Sequence, residues 1–146
     1  MNESLHITCP HCEAVNRLSE SRLAENPNCG RCHQPLFTGH PLVLTDGNFE
    51  RLLESNDLPI VVDGWAAWCG PCRQFAPIFE KAAAALEPRI RFAKLDTDAA
   101  PQTSARLQIR SIPTLIIFGG SKEIARQSGA MNYAQFTQWL LQHLQD

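Results

Sequence analysis

From Leu42 onward, short apolar runs alternate with stretches of helical periodicity. Leu42-Val43-Leu44 predicts a short strand, and Asp46 is placed to cap a helix carrying Phe49, Leu52 and Leu53. Pro59 to Trp65 is apolar on both faces, the pattern of a strand buried on both sides of a sheet. Pro71 opens a helix whose Phe75, Ile78, Phe79, Ala82 and Leu86 recur every three or four residues. Pro77 removes one backbone donor inside that helix and is expected to bend it. Ile90 to Leu95 alternates in polarity and predicts a strand, followed by a short helix around Ala100 to Leu107. Thr114 to Phe118 and Glu123 to Gln127 predict a hairpin across Gly119-Gly120. Asn132 then caps a last helix with Phe136, Leu140 and Leu144 on one face. The order βαβαβαββα predicts an α/β domain, a central mixed sheet with helices on both faces.

The first forty residues follow another rule. They are rich in loop-forming residues (Pro10, Pro27, Gly30, Pro35) and hold few large apolar side chains: Ile7, Val15, Leu18, Leu23, Leu36 and Phe37. Such a segment needs a metal or a disulfide to fold. Thr38-Gly39-His40-Pro41 reads as a linker, which divides the chain into a small unit, 1-40, and a larger one, 41-146. There is no internal repeat and no low-complexity tract.

Charge narrows the function classes. The formal net charge is -2, and residues 1-40 set only Arg17, Arg22 and Arg31 against Glu3, Glu13, Glu20 and Glu25. That balance argues against nucleic-acid binding. The start, Met1 to His6, has neither a basic nor an apolar region of the signal-peptide kind, and no apolar run reaches the roughly 20 residues a membrane span needs. A cytoplasmic protein is expected, in a compartment where cysteines serve metal binding or catalysis more often than disulfide staples.

The six cysteines form three Cys-x-x-Cys pairs. Cys9-Pro10-His11-Cys12 and Cys29-Gly30-Arg31-Cys32 are two knuckles spaced to surround one tetrahedral ion, and four sulfurs suit Zn²⁺. A closed shell of Cys9, Cys12, Cys29 and Cys32 leaves no open position, so this zinc is expected to be structural and to supply folding energy. Cys29 to His33 also matches the haem-attachment motif, but that use requires export and leaves Cys9 and Cys12 unexplained. His11 or His33 is a weaker ligand choice, and His6, His33 and His40 read as solvated loop residues.

Cys69 and Cys72 differ from the other four. They follow the buried-strand pattern and open a helix, where unpaired amides and the helix dipole stabilise a thiolate. Pro71 lies where proline is tolerated, since its missing N–H would be unpaired in any case. Cys69, at the helix edge, is expected to be the nucleophile, and Cys72, one turn further in, the thiol that resolves a mixed disulfide.

Val62-Asp63-Gly64-Trp65-Ala66-Ala67-Trp68-Cys69-Gly70-Pro71-Cys72 resembles the active-site segment of the thioredoxin family. Phe92-Ala93-Lys94-Leu95-Asp96 and Ser111-Ile112-Pro113-Thr114 resemble the family's later landmarks, and the likeness runs from about Leu42 to the C-terminus. With its four-cysteine extension the chain is similar to the zinc-binding bacterial thioredoxin 2 group. The resemblance implies a thioredoxin-like fold with a small N-terminal zinc ribbon. It makes Asp63 a buried carboxylate with a raised pKa that takes a proton from Cys72, as desolvation in an apolar strand would favour. It places Lys94 beside Asp63 as a modulator, makes the bond to Pro113 cis, and offers the Ile112 backbone to a substrate strand. Trp68, Gly70, Pro71 and Gly129 would border the substrate groove, whereas Trp65 reads mainly as core packing. Two departures put local stability in question: Gly64 stands where a bulky aromatic is usual, and Gly119-Gly120-Ser121 replaces the usual hairpin turn.

By the same resemblance, the chain is a monomeric thiol–disulfide oxidoreductase that reduces disulfide-containing cytoplasmic proteins. Thioredoxin reductase recharges it, and the NADPH and FAD belong to that partner, so no bound organic cofactor is expected. Membrane and nucleic-acid partners are not expected. A different class of function is a zinc-ribbon redox sensor or partner-binding module in which oxidation of the ribbon thiols releases zinc. An oxidase or isomerase role fits a reducing compartment poorly.

Overall fold

The computed structural model describes residues 3–144; Met1 and Asn2, part of the segment judged not to be a signal peptide, lie outside them. Seven strands and four α-helices are present among the described residues: β1 (Ser4–Thr8), β2 (Val15–Ser19), β3 (Leu42–Leu44), α1 (Phe49–Glu54), β4 (Ile60–Trp65), α2 (Gly70–Leu86), β5 (Arg91–Asp96), α3 (Pro101–Arg106), β6 (Thr114–Gly119), β7 (Lys122–Ser128) and α4 (Tyr133–His143). A 3-10 helix spans Glu20–Glu25. None of these helices is long and apolar enough to cross a membrane.

Strands β3 to β7 form one mixed sheet in the order β3-β5-β4-β6-β7, with β3, β5 and β4 parallel and β6 and β7 antiparallel additions. The central strand β4 is buried on both faces, as its continuous apolar run requires. Ile60 and Val62 face a core with Phe49, Leu52 and Leu53 of α1 and Ala100 before α3. Val61 faces the opposite core, where Phe75 and Phe79 of α2 meet Phe92 and Phe136. Phe75 and Phe136 pack edge to face at 5.1 Å, the arrangement that aromatic quadrupoles favour. The helices therefore lie on both faces of the sheet, as the periodicity predicts.

Several local expectations are corrected. Asp46 does not cap α1, whose first turn follows Asn48 and is organised by Thr45: the Thr45 hydroxyl accepts from the Gly47 and Asn48 amides. Asp46 instead caps α3 across space, accepting from the Gln102 amide (3.2 Å), the Thr103 amide (2.7 Å) and the Thr103 hydroxyl (2.6 Å). β5 does not alternate between core and water; paired on both edges, it buries Arg91 as fully as Phe92 and Ala93. In the β6–β7 hairpin Gly119 still pairs with Lys122, so the turn is Gly120-Ser121, with Gly120 at φ +61°. Pro77 lies inside α2, as its place in the periodic run implies, and the helix runs unbroken from Gly70 to Leu86. Asn132 caps α4 as expected, within a reciprocal capping box with Gln135.

The first forty residues are more regular than their composition implies. β1 and β2 form an antiparallel hairpin, and the Cys9–Cys12 knuckle lies in the turn between them. Ile7, Leu18 and Leu36 share a small core with Cys9, Cys29 and Leu58, so the hairpin borrows apolar surface from the loop before β4. His6 lies on β1 and is tied to that loop: its amide donates to the Asp57 carboxylate at 2.7 Å, and the Asp57 amide donates to the His6 carbonyl at 2.8 Å.

Candidate functional site

The end of β4 and the start of α2 carry the third cysteine pair. Cys69 is the N-cap residue of α2, and its sulfur accepts from the Cys72 amide at 3.2 Å. Cys69 and Cys72 are joined as a disulfide, with Cα atoms 5.2 Å apart. Both are buried, Cys69 at 5 % exposure and Cys72 at 1 %. Pro71 occupies the first turn of the helix, and Gly70 has open space where a Cβ would stand.

The Ile112–Pro113 bond is cis. Cys69 Sγ lies 3.7 Å from the Ile112 carbonyl oxygen, which brings this loop against the disulfide. Gly129, at φ +97°, donates its amide to the Pro113 carbonyl at 2.8 Å, so it joins the same wall through its backbone. Trp68, the residue before Cys69, is 69 % exposed, and its indole N–H donates to Asp98 at 2.9 Å. Cys69 thus meets Ile112, and Pro113 meets Gly129. Asp98, which orients Trp68, was not anticipated.

Asp63 is fully buried in β4, and neither carboxylate oxygen has a hydrogen-bond partner among the described residues. Desolvation pushes its pKa up to about 7, against the opposing charge of Lys94. Lys94 stands opposite Asp63 in the β4–β5 register, but its Nζ lies 4.5 Å from the centre of the Trp65 ring. Trp65 is half-buried, so it is a platform for that ammonium as well as packing. Gly64, the suspect weak point, has a steric reason: a Cβ there would lie 3.1 Å from Ile109 Cδ1 and 3.4 Å from the Thr114 carbonyl. Ile109 fills the space that a larger residue would occupy, and no local sequence signal reveals it.

The remaining four cysteines form a second centre. The sulfurs of Cys9, Cys12, Cys29 and Cys32 all lie within 4.8 Å of one another. Cys9 to Cys32 and Cys12 to Cys29 are each 3.6 Å apart, so each close pair joins the two knuckles. Amides point at these sulfurs: His11 N at 3.3 Å from Cys9, and Arg31 N at 3.3 Å and Cys32 N at 3.5 Å from Cys29. Asn16 adds a side-chain donor to Cys29 at 3.4 Å while its oxygen accepts from the Gly30 amide at 2.8 Å. The Cys32 amide first, then Asn16, bring the Cys29 thiol down to about 5. The Cys32 thiol is pushed up to about 12: the Gln34 amide opposes this, but desolvation and the neighbouring sulfurs prevail. Four sulfurs this close cannot all be thiolates without a cation among them. The donor set therefore fits one tetrahedral zinc ion. With all four sulfurs in one cluster, the haem-attachment pattern at Cys29 to His33 has no free pair to serve.

Comparison with known proteins agrees with both centres. Residues 40–142 match the thioredoxin family model, and residues 8–34 match the model described as thioredoxin 2, N-terminal. The chain is 46% identical over 139 residues to thioredoxin C-3 of Corynebacterium nephridii, covering 95% of each protein. It is 41% identical over 101 residues to thioredoxin 1 of a Nostoc species, covering 69% of this chain and 94% of that protein. Thioredoxin of Alicyclobacillus acidocaldarius is 44% identical over 88 residues, 60% of this chain and 83% of that protein.

Proposed function

This chain belongs to the thioredoxin family, and we propose that it reduces disulfides of cytoplasmic proteins through Cys69 and Cys72. The observation that carries this is the disulfide at the start of α2 with the Ile112 carbonyl 3.7 Å from Cys69 Sγ, beside cis Pro113. In the reduced protein Cys69 is the thiolate, held by the Cys72 amide and the helix dipole. It attacks one sulfur of a substrate disulfide: the Cys69–substrate bond forms, the substrate disulfide breaks, and the other substrate sulfur leaves as a thiolate that takes up a proton. Cys72 then gives its proton to Asp63, whose raised pKa suits a proton acceptor near neutrality. The Cys72 sulfur attacks Cys69, the Cys69–substrate bond breaks, and the second substrate sulfur leaves as a thiolate that takes up a proton from water, while Asp63 gives its proton back to solvent. The oxidised pair that results is the state seen here.

The substrate segment lies along the wall of Ile112, Pro113 and Gly129 and hydrogen-bonds the Ile112 backbone, with Trp68, Gly70 and Pro71 forming the other rim. Lys94 modulates Asp63 through its charge. Thioredoxin reductase returns two electrons to the disulfide, with NADPH and FAD on that partner, and the protein acts as a monomer. Cys9, Cys12, Cys29 and Cys32 hold a structural zinc that closes residues 1-40 into a ribbon, distinct from the catalytic unit 41-146. The hydrogen bonds between His6 and Asp57, and the burial of Leu58 in one cluster with Ile7, Leu18 and Leu36, support a clamp on the catalytic unit over a detached sensor. Insulin-disulfide reduction with dithiothreitol or reductase as electron source tests the proposal. Cys69→Ser should abolish turnover; activity that survives the change removes the mechanism.

A further inference from the structure

Arg91 opens β5, retains only 2 % exposure, and has no part in the dithiol chemistry. Its guanidinium donates from Nη1 to the Thr8 carbonyl at 2.8 Å and from Nη2 to the Leu36 carbonyl at 2.9 Å. Thr8 directly precedes the first knuckle, and Leu36 follows the second within the same small core as Cys9 and Cys29. The guanidinium also lies over the Phe37 ring, 4.8 Å from its centre, and Nη1 is 3.5 Å from Asn56 Oδ1. One side chain of the catalytic sheet therefore bonds to backbone on both sides of the four-cysteine segment. A lysine could not make this span, because its ammonium is a single point where arginine offers a planar fork.

Burying an arginine is unfavourable unless a negative charge or good hydrogen bonds compensate. Glu87 supplies part of that charge, but it also receives the Gly39 amide at 3.1 Å. Four thiolates around one zinc ion carry a net double negative charge, and Cys9 and Cys29 are themselves buried. Arg91 Nη1 is bonded to the carbonyl of Thr8, the residue that directly precedes Cys9. Each buried charge thus offsets the desolvation of the other.

We infer that Arg91 is a positioning residue of the four-sulfur centre, pinning both flanks of the knuckles to β5 and setting a buried positive charge beside the zinc–thiolate cluster. The inference rests on the zinc assignment made above. It makes zinc retention a property of the whole chain: the site is finished by a residue more than fifty positions beyond the last ligand.

The test follows zinc release from the full-length protein to a chromogenic chelator, comparing the natural chain with Arg91→Met and Arg91→Lys. Loss of an outer partner of a metal site typically weakens metal binding by about 10- to 100-fold. Arg91→Met should therefore release zinc at least about tenfold faster, with Arg91→Lys between it and the natural chain. In cobalt-substituted protein, the thiolate-to-metal charge-transfer band should move to lower energy in Arg91→Met. It should not move in Arg51→Met, which removes only the rim contact to Glu13. If the methionine variant does not fold, the natural chain still decides: its Arg91 guanidinium protons should exchange slowly with zinc bound and fast after chelation. Equal zinc release by natural and folded Arg91→Met protein, or guanidinium exchange indifferent to zinc, overturns the inference alone. A natural chain that binds no zinc overturns the zinc assignment and this inference with it.

Discussion

Replacing Asp63 by asparagine isolates what the buried carboxylate costs the fold. Asp63 has no exposed surface and no hydrogen-bond partner among the described residues, and burial raises its pKa from the ordinary 3.8 to about 7. The folded chain thus holds this proton more tightly than the unfolded chain. Stability from the site is greatest below the unfolded value, falls as pH rises from 3.8 toward 7, and levels off above the folded value. At about 1.36 kcal/mol for each pH unit, the full penalty is roughly 4 kcal/mol. Asparagine keeps the shape of the protonated acid and cannot ionise, so the variant escapes the penalty. Urea unfolding should be followed by circular dichroism, with both proteins oxidised so that Cys69 and Cys72 do not titrate. The stability gap should grow by about 3 kcal/mol in favour of Asp63→Asn between about pH 4.5 and about pH 8. The same variant should reduce insulin more slowly, because Cys72 loses its proton acceptor. A gap that stays constant over the whole pH range would refute the assignment of a raised pKa to this carboxylate.

Other perturbations test other links in the chain. Cys72→Ser should leave the attack by Cys69 intact but block resolution, so a covalent substrate adduct at Cys69 should accumulate and be visible by mass spectrometry; free protein after exposure to substrate disulfide would contradict the assigned roles. Gly64→Val should destabilise the fold by about 1–3 kcal/mol through collision with Ile109, and Ile109→Ala should recover part of the loss. Strict additivity in that double-mutant cycle would show that the two positions do not share space. Asp46→Ala should lower the melting temperature at neutral pH by unpairing the start of α3. The Thr103 hydroxyl first, then the amides of Thr103 and Gln102, hold the Asp46 pKa below its ordinary value, so this contribution exists above that value and is lost on acidification. The two melting temperatures should therefore converge as pH falls through the carboxylate range.

What the sequence revealed and what it hid divide along a physical line. The four-sulfur cluster was legible because side-chain identity and short covalent spacing together limit where thiols can go. The sheet and the two long helices were legible because burial imposes a period, as Val61 and Val62 facing opposite cores demonstrate. The cis bond at Pro113 was expected through family resemblance, since nothing local to Ile112 and Pro113 dictates it. The β1–β2 hairpin was missed because Ile7 and Leu18 bury against Leu58, far away in sequence, and leave too faint an alternation of their own.

Polar residues with distant partners were the least legible of all. Asp46 is spaced as a local helix cap, yet its acceptor atoms serve Thr103. Arg91 is spaced as the outward side of an alternating strand, and such a charge belongs in water unless something receives it. Here the Thr8 and Leu36 carbonyls receive it, so the apparent break in alternation is itself the signature of docking. Lys94, three residues further along β5, remains half-buried against Trp65 and opposite Asp63. One strand thus carries, at its start, the arginine that bonds the Thr8 and Leu36 carbonyls and, near its end, the lysine in register with the buried Asp63. Arg91 is held there by two carbonyls of another segment, and Lys94 by the face of the Trp65 ring. A charged residue in an otherwise apolar strand is for that reason better read as a missing partner than as an exposed face.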